Sequence, residues 1–575
     1  MENWFSKIKQ KRIWKSLVAY PAAAFVILQA VDFFISNYDL NPKLLTATLI
    51  LLIGGFVISL IWNWNHGEKG DQLYTSKEWI AYGSVGIITL FFLGNYWLNS
   101  DLGSKMGSNI NLASHEILAV LPFGNQSKDQ DLVYLSDGIP ENLINKLSRI
   151  TSLKVLSRNS TFILEEADRN PKSIQNKLNA DLMLTGRIEK LDDRLIVNCQ
   201  LIDVQQNIQI WGDKISYHAD NIVKVEEAIV ASLMKTLQLK LKQEQSQIKL
   251  SETYAPEAQA HYMKGRALSY GSTQQEAEKA LDHFREAIEI DPKYAAAYVG
   301  IANEKIVQAI FATASRETIF NEARTAIQTA LAFNPNSAEA YYVDGAIKFY
   351  GDFNWTGAEE SYKKSLEINP NNADAIVRYS AFLVAMKRYN EAIELADKAI
   401  ELDPISISSL HNLGWVNLVA GNYEEAEQAF SEAIELHPTW IWGYVKRAYT
   451  RMFQNNNEGE EADANRTREL MSEGGSELLE AATIYIHSYC NNNQRVSELT
   501  SLFFNHTSKE NYEDPFAVAL VYYANGNLDK MFEWSQKCID EKSPGAYQFN
   551  IDIFYDNDIR NNPRFIEIRK QMKFK

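Results

Sequence analysis

Small and apolar residues recur through the second half of the chain at the spacing of one helix face, and each run ends at a proline. In the clearest run, Ala426, Phe430 and Ala433 are followed by Pro438. Looser runs end in the same way at Pro292, Pro335, Pro370 and Pro404. Spacings of three, four and seven place the leading residues on one helix face, and a proline just beyond that face ends the helix. The last three prolines are 34 residues apart, and a fixed period of this size predicts a solenoid of stacked helix pairs.

A second pattern precedes each run and predicts the first helix of each pair. It consists of a bulky residue, an apolar or small residue and then Gly or Ala, as in Leu410, Leu413 and Gly414. A sixth pair begins near Tyr444, the pattern then decays through the polar stretch 454–465, and a last degenerate unit is predicted at 515–544. Residues 252–575 are therefore predicted to form an all-α solenoid with degenerate C-terminal repeats. The alternative is an unrelated helical domain in which the prolines coincide by chance.

This two-helix pattern resembles the tetratricopeptide repeat (TPR) family. The resemblance implies a protein-binding array in which the second, fifth, ninth and twelfth residues of each repeat face the concave side. In this chain those positions include Val343, Ile347, Tyr350, His411, Trp415, Leu418, Trp442, Tyr449 and Met452. Some TPR proteins hold a C-terminal carboxylate with Lys and Asn at these positions, but only Asn303 matches, so that ligand class is not expected.

The predicted partner-binding positions are mostly aromatic and aliphatic. Such side chains on a curved groove suit an apolar or extended peptide segment. The competing interpretation is that some of these rings pack between neighbouring helices, or that the degenerate C-terminal units cover the groove. The residues alone favour neither interpretation over the other.

Residues 116–243 differ in pattern and predict an α+β domain. Short apolar or alternating runs predict strands at 117–121, 153–156, 182–190, 194–203 and 208–216. Helical spacing predicts helices at 137–150, 171–178 and 222–241. Ser136 or Asp137 is placed to cap the first of these helices, with Pro140 in its first turn. The order βαβαβββα predicts helices packed on a mixed sheet, followed by a polar linker at 242–251.

This region resembles the TolB amino-terminal-like domain of bacterial membrane proteins. The resemblance rests mainly on residues 119–123, 135–139, 153–158, 184–188 and 197–203, and a generic α+β domain is the alternative. It implies the outer portion of a membrane-bound one-component regulator, with this domain between a membrane span and a TPR array. Some such relatives carry a DNA-binding domain or a nucleotide cyclase. Only about 15 residues precede the first apolar run, so neither output is expected here. Residues 551–565 look like the segment that closes such arrays.

Three apolar runs at 16–35, 44–64 and 79–98 predict a membrane anchor within residues 1–104. Each is about 20 residues long, enough to span the hydrocarbon core of a bilayer. Basic residues are concentrated in the N-terminal tail and the second loop, which places the tail inside. With three spans, the expected location is the inner (cytoplasmic) membrane of a bacterium, with the soluble domains in the periplasm.

Charge and motifs narrow the expected chemistry. The formal net charge is −16, and an acidic chain lacks the basic face that nucleic-acid binding needs. The three cysteines lie far apart without a CxxC motif, and the nine histidines show no ligand spacing. Ser136, Asp137 and Gly138 with Glu141 could form a small polar site, but a cap and tight turn is the simpler interpretation.

The sequence thus predicts no catalytic residue, no metal and no cofactor. We expect a membrane-anchored, non-enzymatic scaffold or sensor that binds a protein or peptide through its TPR groove. The alternative is a small-molecule receptor or enzyme with its site in residues 117–241. Nothing in the sequence indicates the oligomeric state.

Overall fold

The computed structural model describes most of the chain in two compact units, residues 1–111 and 112–575. The described residues are 13–38, 43–66, 79–90, 117–126, 132–218, 221–236, 255–269, 274–311, 316–471, 476–490, 492–507 and 514–574. The predicted linker 242–251, the end of the third predicted apolar run (91–98) and the end of the helix predicted at 222–241 (237–241) lie outside these residues.

The described residues of the first unit form three helices, α1 (Ile13–Tyr38), α2 (Lys43–His66) and α3 (Trp79–Leu90). In α2 the 18-residue stretch Thr46–Asn63 is long and apolar enough to cross a membrane, and it is the one helix among the described residues that meets this criterion. The apolar parts of α1 and α3 are shorter, Ala19–Val31 and Trp79–Leu90. The ring of Tyr20 on α1 packs on Phe56 of α2, 5.4 Å between centroids.

The second unit begins with a mixed sheet in the order β3-β1-β4-β5-β6. Its strands are β1 (Ile117–Val120), β2 (Gly124–Asn125), β3 (Lys154–Val155), β4 (Leu182–Leu191), β5 (Arg194–Asp203) and β6 (Ile208–His218). β1 pairs in parallel with β3 and β4, whereas β4, β5 and β6 are antiparallel neighbours. Asp192 and Asp193 alone connect β4 to β5, and Asp192 has a φ of 54°. The mixed sheet predicted from the sequence is confirmed.

Helices cover both faces of this sheet. α4 (Val133–Leu147) and α7 (Ile222–Thr236) pack on one face, and α6 (Pro171–Leu178) packs on the other. The short helix α5 (Arg158–Thr161) follows β3, with Ser157 as its N-cap. A single 3₁₀ turn, Glu166–Asp168, joins α5 to α6. The predicted bounds of α6 match those observed.

The start of α4 differs from the prediction that Ser136 or Asp137 caps it. The helix begins one turn earlier, so both residues and Pro140 lie inside it. A proline inside a helix leaves the carbonyl four residues before it without its usual donor. Here that carbonyl, on Ser136, accepts a 2.9 Å hydrogen bond from the backbone N–H of Phe123 after β1. The sheet therefore supplies the donor that the helix lacks, and α4 continues through the proline.

Eight helix pairs follow among the described residues. They are α8 (Pro256–Ser269) with α9 (Gln274–Ile290), α10 (Ala295–Phe311) with α11 (Arg316–Phe333), α12 (Ala338–Tyr350) with α13 (Trp355–Ile368), α14 (Ala373–Ala385) with α15 (Tyr389–Leu402), α16 (Ile407–Ala420) with α17 (Tyr423–Leu436), α18 (Ile441–Phe453) with α19 (Asn457–Met471), α20 (Glu477–Tyr489) with α21 (Asn493–Thr507), and α22 (Pro515–Ala524) with α23 (Leu528–Asp540). The predicted solenoid is confirmed, and its C-terminal end holds two pairs beyond the sixth.

Glycine on the first helix of a pair allows the second helix to come close. A Cβ added to Gly414 on α16 would lie 2.6 Å from the ring of Phe430 on α17. Gly345 on α12 has the same relationship to Tyr362 on α13. Because both rings are fully buried, neither has room to move away. The Gly of the sequence pattern is therefore explained by the close contact of two helices.

The chain ends in short elements that fold back onto the array. Two 3₁₀ turns, Pro544–Asn550 and Asp552–Phe554, precede α24 (Asn557–Arg560) and α25 (Pro563–Gln571). We call residues 544–554 the closing segment. It packs on α12 and α14, which are first helices of their pairs, and its apolar side chains belong to the core of the array.

The α+β region and the array share one compact unit, whereas the sequence predicted separate domains at 116–243 and 252–575. The core under α4 and α7 continues into the first helix pair, because Tyr262, Met263 and Phe284 belong to it. A Cβ added to Gly138 on α4 would meet the side chain of Met263 on α8. The boundary seen in the sequence is thus a change of secondary structure and not a break in the core.

Candidate functional site

The nine predicted partner-binding residues lie on three first helices, α12, α16 and α18. Eight of them belong to one hydrophobic cluster or pack directly against it, and His411 is the exception. Its ring faces Trp440, 5.6 Å away, and Phe430. The structure therefore brings most of the predicted surface together, as the TPR spacing implied.

This surface is not open, which corresponds to the second of the two interpretations that the sequence left. Val343, Ile347, Leu418 and Met452 are at most 1% exposed, and Trp415 is 5% exposed. Tyr449 is also buried, whereas Tyr350, His411 and Trp442 are half-buried. A large apolar face stays in water only at a cost in free energy. Here the chain's own closing segment covers part of it.

Two aromatic side chains of the closing segment make the main apolar contacts. Tyr547 packs on Phe349 and Tyr350 of α12, with ring centroids 5.2 and 6.1 Å apart. Phe554 stacks on Trp415 of α16 at 5.7 Å and meets the edge of Tyr449 of α18 at 5.5 Å. These rings anchor the segment across repeats that are far apart in sequence.

Polar contacts fix the closing segment between its two anchors. The side-chain amide of Asn550 donates a 2.8 Å hydrogen bond to the carbonyl of Ala385 at the end of α14. Lys387 Nζ lies 2.5 Å from Asp552 Oδ2, and the Tyr485 hydroxyl donates to the carbonyl of Phe554 at 3.2 Å. The array thus holds this segment, which is folded into two 3₁₀ turns, by aromatic anchors and by hydrogen bonds.

The last residues of the chain contact the array at a second place. The indole N–H of Trp355 on α13 donates a 2.6 Å hydrogen bond to the carbonyl of Met572. The Trp355 ring stacks on Phe574 with centroids 4.6 Å apart. The resemblance that assigned a closing role to residues 551–565 therefore agrees with the observed packing, although the contacts begin earlier and end later.

Lys446 on α18 is a residue of this surface that the sequence pattern missed. Its Nζ lies 3.9 Å from the ring centroid of Trp415, and the rings of Trp442 and Tyr449 are 5.5 and 5.6 Å away. Burial lowers the pKa of the Lys446 ammonium to about 7. The sequence contains a pattern that could have indicated this residue. Aromatic residues lie four positions before and three positions after Lys446, and this spacing places all three side chains on one helix face.

Burial and the nearby Lys446 lower the pKa of His411 to about 3. His411 is therefore neutral at physiological pH. The other predicted polar position, Asn303, accepts a 3.0 Å hydrogen bond from the guanidinium of Arg378 within the array. Neither residue presents a charged group to a partner.

The polar residues singled out in the α+β region form a second cluster at the junction with the array. The Glu141 carboxylate binds Arg266 of α8 at 2.6 Å and Arg158 at 3.2 Å. Burial raises the pKa of the neighbouring Asp137. The adjacent cleft has a volume of about 50 Å³, which holds a few water molecules but no nucleotide-sized ligand.

The inter-repeat turns that contain the periodic prolines dock on the same side of the α+β region. Beside Pro370, the Asn371 side chain donates to the carbonyls of Ile150 and Leu153 at 3.3 and 3.2 Å. Before Pro404, the carbonyl of Leu402 accepts a 2.8 Å hydrogen bond from Ser157 N–H. The points at which the array contacts the α+β region are therefore one repeat apart in the sequence.

Two family models match parts of the chain. Residues 114–233 match the second domain of HilA/YgeH-like transcriptional regulators, and residues 372–439 match the tetratricopeptide repeat. The first match covers the α+β region. It names a different domain from the TolB amino-terminal-like one, so that resemblance is not confirmed. The second agrees with the helix pairs described above.

Matches to individual proteins each cover less than half of this chain. A protein named putative adenylate cyclase 3 from Rhizobium meliloti is 27% identical over 186 residues, which is 32% of each chain. The chain therefore spans about a third of this relative. A TPR protein from Parabacteroides merdae is 17% identical with a TM-score of 0.34, covering 47% of this chain and 99% of its own. The pilF protein of Pseudomonas aeruginosa is 18% identical with a TM-score of 0.31, covering 38% and 94%. The C-terminal region of the chain therefore contains tetratricopeptide repeats within its array of helix pairs.

Proposed function

We propose that this chain is a membrane-anchored protein-interaction scaffold or sensor whose TPR groove binds an extended peptide segment. The observation that carries the proposal is the contact of Phe554 with Trp415 and Tyr449, which supports a preference of the groove for aromatic side chains. In the resting chain the closing segment covers part of the groove, and a partner segment with similar aromatic anchors replaces it. The protein is non-enzymatic in this proposal.

The membrane anchor is residues 1–104, with the N-terminus inside and the soluble unit in the periplasm. Support comes from the apolar stretch Thr46–Asn63 and from the excess of Lys and Arg in the tail and second loop. Protease added to intact spheroplasts is expected to degrade the soluble unit. Full protection of the unit in spheroplasts, with digestion only after lysis, would contradict the orientation.

The groove is tested with a labelled synthetic peptide of residues 543–556 and the full chain in detergent. The variant Phe554→Ala frees the groove at its central anchor, so it is expected to bind the peptide at least about tenfold more tightly than the unaltered chain. A peptide that carries Ala in place of Phe554 is the matched control and is expected to bind weakly. Equal binding of both peptides, or no gain in the variant, would contradict a peptide-binding groove.

A second candidate is a small-molecule receptor or enzyme centred on residues 117–241. The similarity to a HilA/YgeH-like domain and to a protein named putative adenylate cyclase favours it, as does the TolB-like resemblance. The cleft of about 50 Å³ beside Glu141 and Arg158 argues against it, because a nucleotide needs several times that volume. ATP or a cyclic nucleotide is expected to leave the melting temperature unchanged, and a rise of several degrees would favour this candidate.

A further inference from the structure

Three polar side chains of the first helix pair converge on one point. His261 lies on α8, and His283 and Glu286 lie one turn apart on α9. The Nδ1 atoms of the two histidines are 3.2 Å apart. Oε2 of Glu286 lies 2.5 Å from Nδ1 of His261 and 3.1 Å from Nδ1 of His283. The three atoms therefore form a small triangle that bridges the two helices.

Protons on the two imidazoles alone do not satisfy this triangle while Glu286 is ionised. A neutral imidazole carries one N–H, so each ring nitrogen is either a donor or an acceptor. If one Nδ1 is protonated, the other turns a lone pair towards the Glu286 carboxylate at hydrogen-bond distance. If both are protonated, two N–H groups face each other across 3.2 Å. With Glu286 ionised, each distribution of protons over the two Nδ1 atoms leaves at least one repulsive contact among the three atoms.

A cation removes this conflict, because all three atoms then act as donors of electron pairs. Nitrogen and oxygen ligands bind Zn²⁺ at about 2.1 Å, and a point at that distance from all three atoms exists beside the triangle. Two ligands at that distance in a tetrahedral site are separated by about 3.4 Å. The observed 3.2 and 3.1 Å are close to that separation, whereas the 2.5 Å between Oε2 of Glu286 and Nδ1 of His261 is shorter, so a bound ion would move these two atoms apart.

The types of ligand select the class of metal. Mg²⁺ and Ca²⁺ prefer oxygen ligands alone, and soft Cu⁺ prefers sulfur. Two imidazoles and one carboxylate suit Zn²⁺ or a neighbouring divalent transition metal, with the fourth position left to water. The His261 and His283 side chains are 28% and 29% exposed and Glu286 is 50% exposed, so an ion reaches the site from solvent.

We propose that His261, His283 and Glu286 bind one Zn²⁺ ion that joins α8 to α9. These helices form the first repeat, and their buried residues Tyr262 and Phe284 belong to the core shared with the α+β region. A metal at this position therefore stabilises the junction between the two parts of the unit. Residue spacing did not indicate the site, because the two histidines are 22 positions apart and lie on different helices.

The test uses the untagged, metal-free full chain in detergent and Zn²⁺ as the probe, measured by isothermal titration calorimetry. One equivalent is expected to bind and to raise the melting temperature. His261→Ala and His283→Ala are each expected to weaken binding at least about tenfold, since each removes a ligand. His218→Ala is the matched control, because His218 also contacts a carboxylate, that of Asp193 at 3.3 Å, but lies on the sheet. It is expected to bind Zn²⁺ as the unaltered chain does.

Co²⁺ provides a second measurement on the unaltered chain, which does not depend on any variant folding. Its visible spectrum is expected to show the strong absorption of a four- or five-coordinate ion. Unchanged Zn²⁺ binding in both histidine variants, the absence of stoichiometric binding, or the weak spectrum of hexa-aqua Co²⁺ would each overturn the proposal.

Discussion

The hydroxyl of Ser160 donates a 2.5 Å hydrogen bond to Oδ1 of Asp403, joining the α+β region to a turn between two repeats. Asp403 is 1% exposed, and Ile405 N–H donates to the same Ser160 hydroxyl at 3.2 Å. Asp403 thus places a carboxyl group inside the contact between the two parts of the unit. A buried carboxyl without a basic partner is stable when protonated and unfavourable when ionised.

Asp403 is expected to make the unit less stable as the pH rises. Burial raises its pKa from 3.8 to about 6, although the hydrogen bonds from Ser157 and Ser160 act in the opposite direction. A raised pKa in the folded state means that its contribution is fully present below pH 4 and is lost as the pH rises through 6. The difference between the two pKa values corresponds to about 3 kcal/mol.

The measurement is the free energy of unfolding at pH 4.5 and pH 7 for the unaltered chain and for Asp403→Asn. Asparagine keeps the shape and an acceptor for Ser160 but does not titrate. The variant is expected to lose less stability between the two pH values than the unaltered chain does. An identical pH dependence in both proteins would show that the Asp403 carboxyl is not the cause.

Phe554→Ala is expected to destabilise the array by about 3–5 kcal/mol, because it removes a buried ring between Trp415 and Tyr449 and leaves a cavity. Urea unfolding followed by tryptophan fluorescence measures the change. Phe333→Ala is the matched control, since Phe333 is 44% exposed, and it is expected to cost about 1 kcal/mol or less. Equal effects would mean that the closing segment is only loosely held.

Gly414→Ala is expected to destabilise the array by about 1–3 kcal/mol through overpacking against Phe430. The control is Gly459→Ala on α19, where the added methyl group meets side-chain atoms of Asn456 and Arg451 and no buried ring. That change is expected to be neutral or mildly stabilising, because Ala favours a helix. Thermal unfolding of both variants measures the difference, and a harmless Gly414→Ala would mean that the two helices separate easily.

Lys446→Met is expected to stabilise the protein at pH 7, by about 1–3 kcal/mol, because it replaces a buried amine with an apolar side chain of similar length. The pKa of Lys446 is lowered to about 7, so its contribution to stability is present at high pH and is lost as the pH falls towards 7. The gain in the variant is therefore expected to shrink between pH 7 and pH 10. A loss of stability at pH 7 would mean that the contacts of the ammonium with the three rings outweigh its burial.

The periodic pattern of the sequence was sufficient to predict the TPR pairs, the strands of the mixed sheet and the helix at 171–178. These features depend on neighbours within one or two turns or within one hairpin, where residue spacing and geometry are directly linked. The start of α4 was predicted wrongly because the donor for the Ser136 carbonyl comes from Phe123, on another element.

Only the tertiary structure decided what lies on the inner face of the array. The aromatic positions were visible in the sequence, but the distance between Trp415 and Phe554 depends on how many repeats stack and where the chain turns back. For the same reason the sequence could not predict the contact of Ser160 with Asp403. It also could not predict that His261, His283 and Glu286 lie close together. Sequence spacing determines which face of a helix a residue occupies, whereas burial and charge depend on which other element covers that face.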